Sequence, residues 1–197
     1  MTAPPPTTAK GPLETYDSFL NDARRLCATR GDRAALRRAV AAATRPESPS
    51  GKRGTGDALF LLRALAAANM HPERKKNFLL VAGLLAQHPE TPAAGDQEAA
   101  IRYAEGNLGA ALGRAVTAKT LTQGRGDQTM RAFTRKTTSG LRLALPRAVR
   151  HLDPSLSGLD LAVLLSDLNS WHFRAADLAT RWWESYTVHC PTPTKGN

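Results

Sequence analysis

The stretch Leu161-Ala162-Val163-Leu164-Leu165-Ser166-Asp167-Leu168-Asn169-Ser170-Trp171, followed six residues later by Leu178-Ala179-Thr180-Arg181-Trp182-Trp183-Glu184-Ser185-Tyr186, decides the fold class. Leu161, Leu164, Leu165 and Leu168 recur at spacings of three and four and form one apolar stripe. Leu178, Ala179, Trp182, Trp183 and Tyr186 form a second. That period belongs to a helix burying one face. No stretch of the 197 residues alternates apolar and polar side chains as a half-buried strand would.

Working outward, the same period recurs along the chain. Tyr16, Phe19, Leu20, Ala23, Leu26 and Cys27 predict a first helix from about Leu13, ended by Gly31. Asp32 reads as the N-cap of a second helix through Ala43, with Arg33, Arg37 and Arg38 facing outward. Pro46 to Gly56 is a loop, Asp57–Met70 a third helix, and Pro72 opens a fourth that ends near Gln87. Leu59–Leu62 and Phe78–Val81 would suit strands if taken alone. The flanking alanines and the spacing of Leu80, Leu84 and Leu85 favour helix. After a loop over His88–Gln97, a helix or two run through Ala118, where Gly106, Gly109 and Gly113 weaken a helix unless they mark close packing. A last group spans about Asp127 to Val188, interrupted at Pro146 and at Pro154–Gly158. The expectation is an all-α protein of about eight to nine helices in two small bundles. These would cover residues 13–120 and 126–189, joined near a Gly124-Arg125-Gly126 turn, with disordered tails over 1–12 and 190–197.

Lys and Arg number 27 against 17 Asp and Glu, a net charge of +10. Twenty of the 27 are Arg, whose planar fork grips phosphate oxygens bidentately. A GC-rich genome raises Arg and Ala together whatever the function, so the distribution of charge says more than its total. Residues 24–76 carry +9 and 106–150 carry +8, while 1–23, 77–105 and 151–197 carry −2, −3 and −2. In the second block nine cations accompany the single acid Asp127, unlike a solvated helical face that mixes signs. Cys27 and Cys190 are too few and too far apart for a disulfide framework or zinc site. No apolar run suits a bilayer span and no signal peptide is evident, so a soluble cytoplasmic protein is expected.

The candidates for chemistry fail individually. His71, His88, His151, His172 and His189 are scattered and read as surface histidines. Gly51 to Gly56 lacks both the spacing of a phosphate loop and a preceding strand. Asp153, Asp160 and Asp167, spaced by seven, read as a solvated helix edge, and the His189-Cys190 pair lies in a loose tail. No active site, metal or cofactor is expected. The cations remain. A single helix over 128–145 would bring Arg131, Arg135 and Arg142 within about 40° of one another, opposite Met130, Phe133, Leu141 and Leu145. Candidate phosphate contacts are Arg24, Arg25, Arg37, Arg38, Arg114, Lys119, Arg125, Arg131, Arg135, Lys136 and Arg142. Most of the few aromatic residues fall in core stripes, so stacking platforms are not evident and the expected grip is indifferent to sequence. A helical adaptor or regulator using the same Arg faces on an acidic protein is the competing reading. A helix-turn-helix repressor lacks a compact recognition unit.

Several segments carry a family resemblance: Arg33-Ala34-Ala35-Leu36-Arg37-Arg38, Leu108-Gly109-Ala110-Ala111-Leu112, Arg131-Ala132-Phe133, Leu161 to Trp171 and Arg181-Trp182-Trp183-Glu184-Ser185-Tyr186. In order and spacing, from about residue 14 to 188, they resemble the CasB family, the small subunit of the type I-E CRISPR Cascade complex. Ala132 departs from a denser Arg-Arg-Phe pattern. The resemblance implies an all-helical, non-enzymatic subunit working with backbone and large subunits, a second copy of itself, CRISPR RNA and target DNA. It also implies a role in holding the target and displaced strands of an R-loop, cleavage being done by a separate recruited nuclease.

Overall fold

The computed structural model describes residues 12–44, 71–93, 97–152, 156 and 158–190. Among the described residues all regular elements are helical: α1 (Pro12–Cys27), α2 (Arg30–Thr44), α3 (Pro72–Gln87), α4 (Ala99–Glu105), α5 (Leu108–Thr117), α6 (Gln123–Phe133), α7 (Thr138–Val149) and α8 (Leu161–His189). The all-α expectation is met. The loop expected over 46–56, the helix over 57–70 and almost all of both tails lie outside the described residues.

α3 begins at Pro72, as its missing N–H allows, with His71 Nδ1 accepting the Glu73 N–H at 3.3 Å. From Asn77 to Ala86 every side chain is buried, which explains why Phe78–Val81 carries no helical stripe: the helix is enclosed on all sides. Gly83 faces Leu36 and Val40, and Arg37 Nε donates to the Ala86 carbonyl at 2.9 Å, so α2 and α3 run antiparallel. α5 lies against the second half of α8. A Cβ at Gly109 would collide with the Trp182 carbonyl, and one at Gly113 would sit 2.7 Å from the Tyr186 carbonyl oxygen. These glycines let two backbones meet.

α8 is kinked at Arg174 (φ −130°, ψ 25°). Before the kink, Asn169 accepts from the Asn77 side chain at 2.9 Å and donates to the Tyr16 hydroxyl at 3.3 Å, fastening α8 to α3 and α1. After it, Ser185 Oγ accepts from Asn107 Nδ2 at 2.7 Å and the Tyr186 hydroxyl donates to Asp127 at 2.8 Å, fastening it to α5 and α6. Trp171 and Trp182, buried with ring centroids 4.8 Å apart, lie in a connected apolar core that runs from Leu13 in α1 to Tyr186 in α8.

Four local expectations are corrected. α2 starts earlier than Asp32. Thr29 caps it, its Oγ1 accepting the Asp32 N–H at 3.3 Å and donating to Asp32 Oδ2 at 2.6 Å, so Gly31 falls inside the first turn. Pro146 does not interrupt α7, because the helix ends three residues later and only one backbone bond is forfeited. Gly124-Arg125-Gly126 is the first turn of α6 rather than a joint, and Gly126 is small because the Tyr186 hydroxyl and Val116 pack on it. The helix expected over 128–145 is two. Thr137 begins α7 by accepting the Gly140 N–H at 3.2 Å, which leaves 134–137 as a turn and disperses the Arg131, Arg135, Arg142 stripe.

Candidate nucleic-acid interface

The cations divide into those engaged inside the fold and those facing solvent. Arg102 is 7% exposed and holds two carboxylates: its Nη1 and Nη2 reach Asp17 at 2.6 and 2.8 Å, and its Nε reaches Asp160 at 2.7 Å. The hydrogen bonds it donates to Asp17, and then to Asp160, raise its pKa above the ordinary arginine value. Asp160 is also the N-cap of α8, accepting from Ala162 N at 2.9 Å and Val163 N at 3.2 Å. The Asp167 carboxylate, expected on a solvated edge, is 2% exposed and accepts from Arg181 and, at 2.7 Å, from Trp182 Nε1. Burial pushes its pKa up and the two donors oppose the shift. Its heptad spacing to Asp160 marks a cap and a core contact, not an edge.

Three candidate phosphate contacts also point inward. Arg142 is corrected most fully. At 3% exposure it joins α7 to α3, with Nη2 2.5 Å from Glu73 Oε2 and Nη1 3.0 Å from Asn77 Oδ1. Hydrogen bonds from Lys76 and Arg142 hold the Glu73 carboxyl below the usual carboxylate range. Half-buried Arg114 bonds Glu105 at 3.2 Å and the Gly158 carbonyl at 2.8 Å. Arg24 donates to the Pro92 carbonyl at 2.8 Å, and burial lowers its pKa.

The remaining eight candidates lie at or near the surface. Arg25 is exposed beside Asp22, Arg38 is exposed on α2, and Arg37, exposed on the same helix, is held by its Nε bond to the Ala86 carbonyl. Lys119 is exposed just past α5 in a left-handed conformation (φ 60°). Arg131 and Arg135 are exposed on the last turn of α6 and in the turn after it. Arg125 and Lys136 line a groove of about 770 Å³ between α6 and α7, where Arg147 and Arg150 join them and His151 stands alongside. Among the described residues no carboxylate lines this groove, and none of its four Arg and Lys side chains is ion-paired to a described carboxylate. Asp127, the one acid of this basic block, is instead bonded to the Tyr186 hydroxyl, whose pKa is raised by burial and by that bond. Four like charges with no described counter-ion attract a polyanion at close range. Among the described residues none of the α1 or α2 candidates lines the groove.

The sequence profile of the family described as CRISPR-associated protein Cse2 matches residues 32–186. The chain belongs to the Cse2 family. Among curated proteins no relative matches. A solved chain from a structure described as "CRISPR RNA-guided surveillance complex, pre-nicking" is 28% identical, with a TM-score of 0.68 over 90% of this chain and 94% of that one. A second, from a "CRISPR RNA-guided surveillance complex", is 24% identical with a TM-score of 0.66 over 91% and 95% of the two chains, and shares the fold.

For this Cse2-family chain, Arg147 and Arg150 are the groove cations that the sequence reading counted in the basic block but left out of the contacts. The signal was present. With Leu141, Leu145, Ala148 and Val149 inward on one helix, positions 147 and 150 face outward; expecting a break at Pro146 hid it. Among the described residues no group of His, Cys, Asp and Glu is placed to hold a metal. No described helix is long and apolar enough to cross a membrane.

Proposed function

We propose that this chain is a non-catalytic subunit of a CRISPR RNA-guided surveillance complex and grips nucleic-acid backbone without sequence preference. In that role it stabilises target and displaced strands when an R-loop opens, alongside other subunits of the complex, CRISPR RNA and a second copy of itself. The α6–α7 groove, where Arg125, Lys136, Arg147 and Arg150 stand with no described carboxylate among them, carries the reading. Opening a duplex exposes phosphates of both strands, and fixed cations neutralise them whatever the sequence. The family match and the resemblance to chains of RNA-guided surveillance complexes support the setting.

The test is a titration of the full chain with labelled single-stranded and duplex DNA of several sequences between about 50 and 200 mM salt. Affinity falls linearly on a log–log plot and differs little between sequences. Salt-independent binding, a strong preference for one sequence, or no binding by either the free chain or its assembled complex overturns the proposal. Capture of an acidic protein with no accompanying 260 nm absorbance establishes the adaptor reading instead.

A further inference from the structure

We propose that Leu143 contacts bases, packing its side chain against the faces of unpaired nucleobases in a strand whose phosphates the rim of the α6–α7 groove holds. This rests on the reading of that groove as a phosphate-binding surface. Leu141 and Leu145, two residues to either side on α7, are fully buried, whereas Leu143 is 66% exposed and lines the groove. The core therefore makes no demand on position 143. Ala132 and Ala144 line the groove with it, so apolar side chains and the cations Arg125, Lys136, Arg147 and Arg150 share one groove.

Charge alone would serve a duplex equally well, because a duplex presents phosphates at its surface. Its base faces are stacked inside, so an exposed apolar side chain beside the cations would meet only sugar and phosphate. An unpaired strand offers both chemistries within each nucleotide, an anionic backbone and a free apolar base face. Among the described residues the only rings that line the groove are those of Phe133 and His151, and His151 stands past the end of α7 beside Arg150. Phe133 lines it but is 3% exposed, and the exposed Phe173 belongs to α8 and lies outside it.

The experiment compares oligothymidylate with an abasic oligonucleotide of the same phosphate number, binding each to the full chain at one salt concentration by fluorescence anisotropy. Wild type binds the thymidylate strand about three- to tenfold more tightly than the abasic one. L143A removes that preference and leaves abasic affinity unchanged; alanine is a strong helix former at an exposed site, so the fold is retained, as circular dichroism checks. The R147A/R150A pair weakens both strands and keeps the preference. An L143A variant that keeps the wild-type ratio, or that weakens both strands equally, overturns the inference while leaving the phosphate reading intact. Loss of poly-glutamate binding by L143A with the strand ratio unchanged also overturns it, assigning the residue to a protein partner. Binding of neither strand by wild type overturns the groove reading itself.

Discussion

Replacing Arg142 by alanine separates two roles that one cation can have, fastening the fold or contacting phosphate. The side chain is 3% exposed and supplies donors to Glu73 Oε2 at 2.5 Å and Asn77 Oδ1 at 3.0 Å. Breaking a fully buried ion pair costs about 3–5 kcal/mol, mainly because the orphaned charge stays in a dry site. Here the orphan is milder. The Glu73 side chain is 47% exposed and keeps Lys76 at 2.9 Å, and the Asn77 amide keeps its bond to Asn169. The expected loss is therefore about 2–3 kcal/mol, one charged hydrogen bond plus an unsatisfied buried carbonyl oxygen. For a chain of this size that lowers Tm by about 5–10 °C. The assay is thermal and urea unfolding of the full chain, paired with DNA titration under conditions where wild type and variant are both folded. The salt slope of binding is unchanged in R142A. The companion R125A, at an exposed groove position, leaves Tm within about 1 °C and reduces the slope by about 0.7 on single-stranded DNA. An R142A variant with wild-type Tm and a reduced slope refutes the reasoning.

Further expectations follow from the packing and from Glu73. Its carboxyl titrates lower in the folded chain than in the unfolded one, so its contribution to stability is complete above the ordinary glutamate range and is lost as pH falls through the folded value. E73Q accordingly narrows the difference between urea midpoints at about pH 7 and pH 3, and an unchanged difference contradicts the assignment. G109A forces α5 away from the Trp182 carbonyl and destabilises by about 1–3 kcal/mol. G124A, in the same class of substitution but with nothing within 4 Å of its Cβ, is neutral or stabilising by up to about 1 kcal/mol. Differential scanning fluorimetry of the pair distinguishes them, and equal effects refute the packing argument. K119G relieves the left-handed lysine after α5 and leaves Tm unchanged or raises it by a few degrees; a marked loss shows that the lysine side chain supports the turn.

Helical periodicity was legible wherever an apolar stripe met a solvent face. The stripes in α8 follow from residue spacing and the start of α3 from Pro72, whereas the sequence leaves the glycines of α5 as either helix-weakening or close-packing, and the backbone of α8 against Gly109 and Gly113 decides for the second. Boundaries set by a single side-chain bond were less legible. Thr29 and Thr137 each cap a helix through one hydroxyl, and a hydroxyl in sequence does not announce which N–H it accepts. The charge segregation was legible as far as the block. Which cations stay outside was not, because the carboxylates that draw Arg102 inward are 85 and 58 residues away, and Glu73 is 69 residues from Arg142. A pairwise contact at that separation leaves no periodic trace. The groove exists because α6 and α7 are two helices, since a single straight helix over 128–145 has no space between its turns.

The most direct test removes the groove's charge while leaving its helices in place. In R125A/K136A/R147A/R150A all four cations become alanine at positions unpaired to any described carboxylate, so Tm stays close to wild type. The salt slope on single-stranded DNA falls by about three units, from about 0.7 per contact, with affinity reduced alike across sequences. A folded fourfold variant that retains the wild-type slope and affinity contradicts it.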